Sequence, residues 1–318
     1  MLRSRLISLL AVLFVALLSF GQEQDAAVDL KWKFEKDKPF YQELTTDTEQ
    51  TLKVMNMDVN QKQKQTFYFS WTPVSQDEKD QSWTLKQKII GIKMDINIGG
   101  NNISYDSISG PTAANPLAEF FKALIGSEFT VTLSPEGKVT NIEGQDAFLK
   151  KLIDANPQMK ALLEQILNKQ SMQQMADPLF AVVPGKEVKK GETWTRASQL
   201  SLGPIGGYDS SYTYTFDSLE KDLAKIGVKT TFKYVPPAAD AGSGLPFRIK
   251  SAKLTGKEGT GTALFDIKTG QLQTADMSQV LEGTLDIEIG GMSTAVDLKQ
   301  TQKSTTRITD TDPTVKKQ

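Results

Sequence analysis

The feature that most constrains this fold is a strict alternation of apolar and polar residues over residues 90–98. Ile or Met occupies every second position there, and glycine or a polar residue lies between them. Because side chains along a β-strand point to opposite faces in turn, this pattern predicts a strand with one buried face and one wet face. The pattern returns at residues 285–289, and both copies end in Gly-Gly, where a chain can reverse through positive φ. The sequence therefore predicts antiparallel strands joined by tight turns.

Two further pairs of segments have the pattern of β-hairpins. Residues 128–133 and 138–142 flank a Ser-Pro-Glu-Gly turn, and residues 263–267 and 271–274 flank a Lys-Thr-Gly turn. A glycine-containing turn between two strand-like segments is typical of a hairpin.

A longer alternating set runs over residues 51–71, but its apolar face is interrupted by Gln61, Gln63 and Gln65. Either a turn lies near Asn60, or one long strand leaves the core in its middle. We interpret the glutamines as a solvated stretch that keeps an exposed sheet from aggregating. The alternative is a glutamine ladder that contacts a ligand.

Helices are predicted only in the middle of the chain, over residues 115–176. Asn-Pro at residues 115–116 predicts one helix start, and Asn-Pro at residues 156–157 predicts another, with that helix running to about Met175. A shorter amphipathic helix is expected just before the second start. The apolar stripes of these helices need a surface to cover them, so we expect them to pack on the strand at residues 90–98. The predicted fold is β-dominated α+β, with long antiparallel strands in one or two curved sheets and a central helical segment packed on the sheet.

The first 21 residues have the three regions of a secretory signal peptide in the required order. Arg3 and Arg5 supply positive charge, residues 6–18 form a hydrophobic region interrupted only by Ser8, and residues 19–21 provide the small residues of a cleavage site before Gln22. The apolar run is shorter than the roughly 20 residues that span a bilayer, and no second run of this kind follows. We therefore expect an extracytoplasmic protein, periplasmic or secreted, with no stable membrane span after cleavage.

Four regions are predicted along the chain. They are a signal peptide at 1–21, a first β-rich half at 22–183, a second β-rich half at 184–309, and a polar tail at 310–318. A connector rich in glycine, lysine and glutamate separates the halves, and each half contains an Asp-Ile-x-Ile-Gly-Gly segment. The halves are either related repeats or unrelated regions with recurring strand chemistry.

The missing residue types exclude many enzyme classes. His and Cys are absent from all 318 residues, so the chain has no imidazole base, no thiol nucleophile and no disulfide. The balance of 37 Lys+Arg against 38 Asp+Glu gives a net charge of −1, which argues against nucleic-acid binding. Ser218 and Lys268 begin Ser-x-x-Lys and Lys-Thr-Gly matches to β-lactamase motifs, but Ser218 follows a strand-like segment instead of starting a buried helix. We predict a protein that is not an enzyme and has no metal or cofactor. A catalytic carboxylate pair, brought together by the fold and not by local spacing, stays open as an alternative.

Several strand and turn segments resemble those of an exported bacterial protein family known only as a domain of unknown function. These segments lie at residues 32–34, 40–41, 55–59 and 184–194. They are structural, so the resemblance implies a β-rich exported protein and no catalytic residue. At the level of architecture, long strands with a central helical insert also resemble periplasmic lipoprotein carriers and related lipid-binding folds, in which a curved sheet wraps helices around an apolar cavity.

Two functions stay open at this point. The first is a non-catalytic binding or structural protein of the cell envelope, whose partner is an envelope protein. The second is an extracytoplasmic carrier of an apolar ligand, of lipid or lipoprotein type, held between sheet and helices. For the carrier, the residues predicted to line the ligand site are Ile92, Met94, Phe121, Leu163 and Ile166.

Overall fold

The structure is a computed structural model and describes residues 27–54, 57–110, 118–237 and 247–315. The predicted signal peptide with its cleavage position, and the helix start at residues 115–116, lie outside these residues.

Strands make up most of the described chain. They are β1 (Val28–Leu30), β2 (Phe40–Val54), β3 (Met57–Gln76), β4 (Trp83–Ile98), β5 (Asn101–Asp106), β6 (Glu128–Leu133), β7 (Val139–Glu143), β8 (Lys186–Val188), β9 (Thr193–Ser201), β10 (Gly207–Glu220), β11 (Leu223–Val235), β12 (Arg248–Asp266), β13 (Gln271–Ile289) and β14 (Met292–Thr309). The helices are α1 (Ala118–Leu124), α2 (Gln145–Ala155), α3 (Lys160–Ile166) and α4 (Lys169–Phe180), with 3-10 turns at Pro157–Met159 and Gly203–Ile205.

One antiparallel sheet contains twelve of these strands. Its order is β7-β6-β4-β3-β2-β14-β13-β12-β11-β10-β9, and β5 pairs with the last part of β4. β1 and β8 form a separate two-stranded sheet. Because β2 pairs with β14, strands from both ends of the described chain share one sheet. The predicted β-dominated α+β fold is confirmed, whereas the division into two halves at residue 184 stays a prediction.

The glycine turns lie where the sequence predicts them. Gly99 and Gly100 have φ of +56° and +91° between β4 and β5, and Gly290 and Gly291 have φ of +57° and +84° between β13 and β14. The two predicted hairpins form as β6–β7 and β12–β13. β3 runs through Asn60 without a break, so the three glutamines lie on one long strand that starts at Met57. Residues 51–54 of the alternating segment belong to β2, which pairs with β3 in a hairpin.

A β-bulge corrects the predicted apolar face of β4. Tyr68 of β3 lies opposite Gly91, but the next residue, Phe69, lies opposite Ile89. This shift means that Ile89, not Ile90, continues the buried face of Ile92 and Met94, and Ile90 is only half-buried. A bulge changes which side chains point inward, and a simple alternation rule cannot anticipate it.

The helix predicted from residue 157 to about Met175 is two helices. The Asn168 side chain accepts a hydrogen bond from the Ser171 backbone N–H at 2.9 Å, and this N-cap starts α4 as a new helix. α4 also continues through Pro178, because the Ala181 N–H still reaches the Asp177 carbonyl at 3.1 Å. The predicted end before Pro178 is therefore wrong. The shorter amphipathic helix is confirmed as α2.

The helical segment packs on the sheet as predicted. Phe121 of α1 lies 5.2 Å from the Tyr105 ring of β5, between ring centroids. Just after α1, the Gly126 N–H donates to the Ile89 carbonyl at 2.8 Å, and the Ile89 N–H donates to the Ser127 carbonyl at 3.0 Å. Phe121, Leu124, Leu152 and Leu163 share one buried core with Ile92 and Met94.

α4 lies between the two end strands of the sheet. The Val139 N–H of β7 donates to the Asp177 carboxylate at 2.8 Å, and the Val139 carbonyl accepts from the Gln173 amide at 2.7 Å. On its other side, the Ser171 hydroxyl donates to the Ser201 carbonyl of β9 at 3.2 Å. One helix can contact both ends only because the sheet curves, and we call the face that α4 covers the inner face.

Candidate functional site

Aromatic side chains fill one end of the curved sheet, which we call the closed end. Trp71 of β3 stacks on Phe40 at 6.2 Å and meets Phe180 of α4 edge-on at 5.1 Å. Trp32 packs on Phe180 at 5.3 Å and on Phe265 of β12 at 5.5 Å. The Trp71 indole N–H donates to the Gln42 side-chain carbonyl at 3.0 Å, so a buried polar group of the inner face is satisfied here. This end is a packed core.

Beyond this core, two adjoining cavities separate α4 from the inner face. The lower cavity has a volume of about 300 Å³ and the upper one about 320 Å³. They share Met175 and Pro178 of α4, and Tyr212, Gln279 and Gln302 of the sheet. The lower cavity is also lined by Gln42, Leu44, Thr46, Leu179, Val182, Tyr214, Val228, Ala263, Leu272, Ala275, Asp276, Met277, Ser304 and Thr306. The upper cavity is also lined by Gln174, Ser198, Leu200, Tyr208, Ser210, Phe232, Leu281 and Gln300.

Asp276 is the one residue of formal charge lining the two cavities within the described chain. Its carboxylate accepts a hydrogen bond from the Thr305 hydroxyl at 2.6 Å. Ser304 and Thr306 line the cavity, so Thr305 and its partner Asp276 point to the opposite face. The cavity walls therefore combine aliphatic and aromatic groups with neutral amides and hydroxyls.

The tyrosines of β10 and β11 are shielded from solvent by burial. Burial raises the pKa of Tyr208, Tyr212 and Tyr214 above the ordinary tyrosine value. Burial, followed by the neighbouring Tyr208, raises the pKa of Tyr234 to about 12. The Tyr234 hydroxyl donates to the Ile205 carbonyl at 2.5 Å. These tyrosine hydroxyls therefore stay neutral at physiological pH.

Uncharged polar side chains form a band across the inner face, which we call the amide belt. Residues directly opposite on neighbouring strands share a face of the sheet, and the register places these side chains in three adjacent rows. The rows are Ser304, Thr46 and Gln65; Gln279, Gln302, Thr48 and Gln63; and Gln300, Gln50 and Gln61. On β13, the apolar residues Met277 and Leu281 end the first and third rows.

The three glutamines of β3 are linked within the amide belt. The Gln61 amide donates to the Gln63 side-chain carbonyl at 3.3 Å, and the Gln63 amide donates to that of Gln65 at 3.0 Å. All three are half-buried, whereas Lys62 and Lys64 are exposed on the other face. The glutamines thus point to the inner face of the sheet, and the lysines between them point to the outer face.

The structure places the predicted lining residues in the core and not around these two cavities. Ile92, Met94, Phe121 and Leu163 are buried together, and Ile166 is half-buried at the end of α3. Their role in ligand contact stays a prediction. The α4 residues that roof the cavities were missed, because the sequence pattern does not show that this helix bridges β7 and β9. The sheet side of the cavities could have been predicted from the alternation of residues in β13 and β14. In β13 this alternation points Met277, Gln279 and Leu281 inward.

The described residues contain neither a metal-binding cluster nor a membrane-spanning helix. In residues 27–54, 57–110, 118–237 and 247–315, no three acidic side chains come close enough to hold a metal ion. Over the same ranges, none of the helices combines the length and apolarity that crossing a membrane requires.

Comparison with solved structures shows weak similarities of fold. A structure of lipovitellin that describes its lipid–protein interactions is 9% identical with a TM-score of 0.47, and the match covers 90% of this chain and 27% of that one. The chain therefore spans about a quarter of the lipovitellin chain. OccK5 (OpdH) of Pseudomonas aeruginosa is 7% identical with a TM-score of 0.26, covering 87% of this chain and 100% of that one. These similarities carry no functional information.

Sequence comparison identifies the family. No curated protein sequence matches the chain. The profile of a family of unknown function, DUF6263, matches residues 80–272, which is more than half of the chain. This match confirms the expected resemblance to a family of unknown function, and of the four segments that carried the resemblance it includes residues 184–194. The protein therefore belongs to the family of unknown function DUF6263.

Proposed function

We propose that this protein is an exported, non-catalytic binding protein that carries an apolar ligand between α4 and the inner face of the sheet. The observation that carries the proposal is the pair of adjoining cavities, whose inward-pointing side chains are apolar or neutral. Ligand sites in proteins are clefts of roughly 300–1,000 Å³ lined mostly by apolar side chains with a few polar groups. The cavities beneath α4 fit this description.

The side chains of α4 support a binding role over a purely structural one. Met175 is 45% exposed although it lies on the helix surface that faces the sheet. A helix that only closed the sheet would bury this side chain, because packed cores leave few voids larger than a water molecule. Methionine also adapts its shape to different apolar surfaces, which suits a ligand contact.

The substitution Ala275→Phe tests ligand binding by filling the lower cavity from the sheet side. We expect the affinity for the apolar fluorophore N-phenylnaphthylamine to fall about tenfold or more, equivalent to a loss of about 1.4 kcal/mol of binding free energy. The free energy of unfolding should change little, because the new ring occupies existing space. Fluorescence titration and urea unfolding measure the two quantities.

Ala295→Phe provides the matched control. Ala295 lies on β14, like the belt residues Gln300, Gln302 and Ser304, but it is exposed. This variant should bind the fluorophore as the original protein does. Equal affinities in all three proteins would refute the cavity as the binding site. Native mass spectrometry of the purified protein should detect a co-purifying lipid.

Export is supported by the sequence of residues 1–21, with its positive, apolar and small-residue regions. We expect the mature protein outside the cytoplasm, beginning at Gln22. Cell fractionation followed by N-terminal sequencing measures both. A cytoplasmic protein that retains Met1 would contradict export, without bearing on the cavity.

A further inference from the structure

The amide belt divides the inner face into three zones. On the side of the closed end, the row next to the belt contains Leu44 and Phe67. On the other side, the next row contains Leu298, Leu52 and Val59. A ligand along the inner face would therefore meet apolar surface, then amides and hydroxyls, then apolar surface again.

The opposite face of the same strands is built differently. There the register aligns Lys303, Asp47, Lys64 and Asp95 on four neighbouring strands, with alternating charge. In the next row, the Lys62 ammonium lies 3.1 Å from the Glu49 carboxylate. Ion pairs keep the outer face soluble, and ion pairs on the inner face would keep that face soluble too. On β14, β2 and β3, the inner face instead has glutamine, serine and threonine at the neighbouring positions, so solubility alone does not explain the belt.

A neutral amide belt favours one kind of ligand head over another. Each glutamine amide both donates and accepts hydrogen bonds, so it can pair with hydroxyl, ester or amide groups. A carboxylate or phosphate placed against this belt would lose water without gaining a cation, which weakens its binding. The belt residues Gln279, Gln300 and Gln302 line the cavities directly.

On the α4 side of the upper cavity, a second feature also favours an uncharged ligand head. The side-chain carbonyl oxygen of Gln174 is buried and has no hydrogen-bond partner among the described residues. Gln174 lines the same cavity as Gln279 and Gln300. An unpaired acceptor is satisfied by a ligand that brings a donor, such as a hydroxyl or an amide N–H. An ionised carboxylate brings only acceptors.

We infer that the ligand is a neutral amphiphile, whose chain lies in the apolar part of the cavities and whose uncharged hydroxyl-bearing head lies on the amide belt. This inference rests on the proposed function and adds the class of ligand to it. The belt selects against fatty-acid and phosphate heads, and it supplies donors and acceptors for a head of the glycerol or sugar type.

Competition against bound N-phenylnaphthylamine tests the head-group preference. Three competitors share one chain length and differ in the head: dodecanoylglycerol, dodecanoate and dodecyl phosphate, each below its micelle concentration at mildly alkaline pH. We expect dodecanoylglycerol to bind about tenfold or more tightly than either anion, because only the anions lose hydration without a counter-charge.

Two variants at neighbouring positions test the role of the belt. Gln302→Lys places a cation on the inner face, and it should raise the affinity for dodecanoate about tenfold or more relative to dodecanoylglycerol. Lys303→Gln changes the adjacent residue on the outer face and should leave the preference unchanged. If Gln302→Lys fails to fold by circular dichroism, Gln302→Leu should still reduce the preference for the glycerol head.

The possible failures are distinguishable. If the fluorophore binds but the anions compete as well as dodecanoylglycerol, or better, the head-group inference is overturned and the proposed binding site stands. If neither the fluorophore nor any competitor binds, the proposed function is overturned and the inference falls with it.

Discussion

Replacing Trp71 by alanine should cost about 3–5 kcal/mol of unfolding free energy, as expected for truncating a fully buried aromatic side chain. Trp71 is 1% exposed and contacts both Phe40 and Phe180, so the substitution removes an aromatic stack and an edge-on contact with α4. It also leaves the buried Gln42 carbonyl without its indole donor, which adds to the loss. Urea unfolding followed by circular dichroism measures the effect.

Trp83→Ala is the matched control for this prediction. Trp83 is half-buried and contacts Phe34 edge-on at 5.6 Å. The same chemical truncation should therefore cost clearly less at this position. Equal losses in the two variants would show that Trp71 is not the centre of the closed end.

Replacing Gly185 by alanine should cost about 2–5 kcal/mol, since a left-handed backbone penalty of about 1–2 kcal/mol adds to a steric penalty of about 1–3 kcal/mol. Gly185 has φ of +73°, and a Cβ atom there would lie 2.3 Å from the Pro135 carbonyl oxygen. In the facing turn, Gly137 has φ of +78°, and a Cβ atom would lie 2.4 Å from the Phe180 carbonyl oxygen. These two glycines let the β6–β7 turn approach the end of α4 backbone to backbone.

Gly191→Ala separates the two penalties. Gly191 has φ of +81°, but a Cβ atom there would meet nothing within 4 Å. This variant should show only the backbone penalty, and urea unfolding of both variants measures the difference. A Gly185→Ala protein as stable as Gly191→Ala would contradict the close approach.

The sequence predicts the strands well because their signals are local. Alternation over residues 90–98 and 285–289 depends on neighbouring positions alone, and the Gly-Gly pairs reverse the chain by their own conformational freedom. The bulge at Ile89 and Ile90 depends on how β3 and β4 align, and no feature of β4 alone indicates it. The break before α4 has a local cause in the Asn168 cap, but the preceding apolar stripe continues the helical pattern and hides it.

The site was harder to predict because it depends on distant parts of the chain. Alternation puts Gln61, Gln63 and Gln65 on one face, but it does not say whether that face is concave. The concave side is fixed by α4, whose Asp177 and Ser171 bind strands β7 and β9 at the two ends of the sheet. The predicted lining residues follow from a correct expectation that helices pack on β4. The cavities lie instead beneath a different helix, over β2 and strands of the C-terminal half.

The pairing of β2 with β14 has a consequence for the order of folding. Val54 lies opposite Val296, so β2 gains its second neighbour only when almost the whole chain is present. Contacts this distant in sequence close large loops, and they slow folding relative to local hairpins. Until β14 pairs with it, β2 has an edge of unpaired backbone N–H and C=O groups. Such an edge can pair with a strand of another molecule. β2 carries three exposed charged residues, Asp47, Glu49 and Lys53. Charged side chains of this type keep an unpaired strand edge from aggregating before β14 pairs with it.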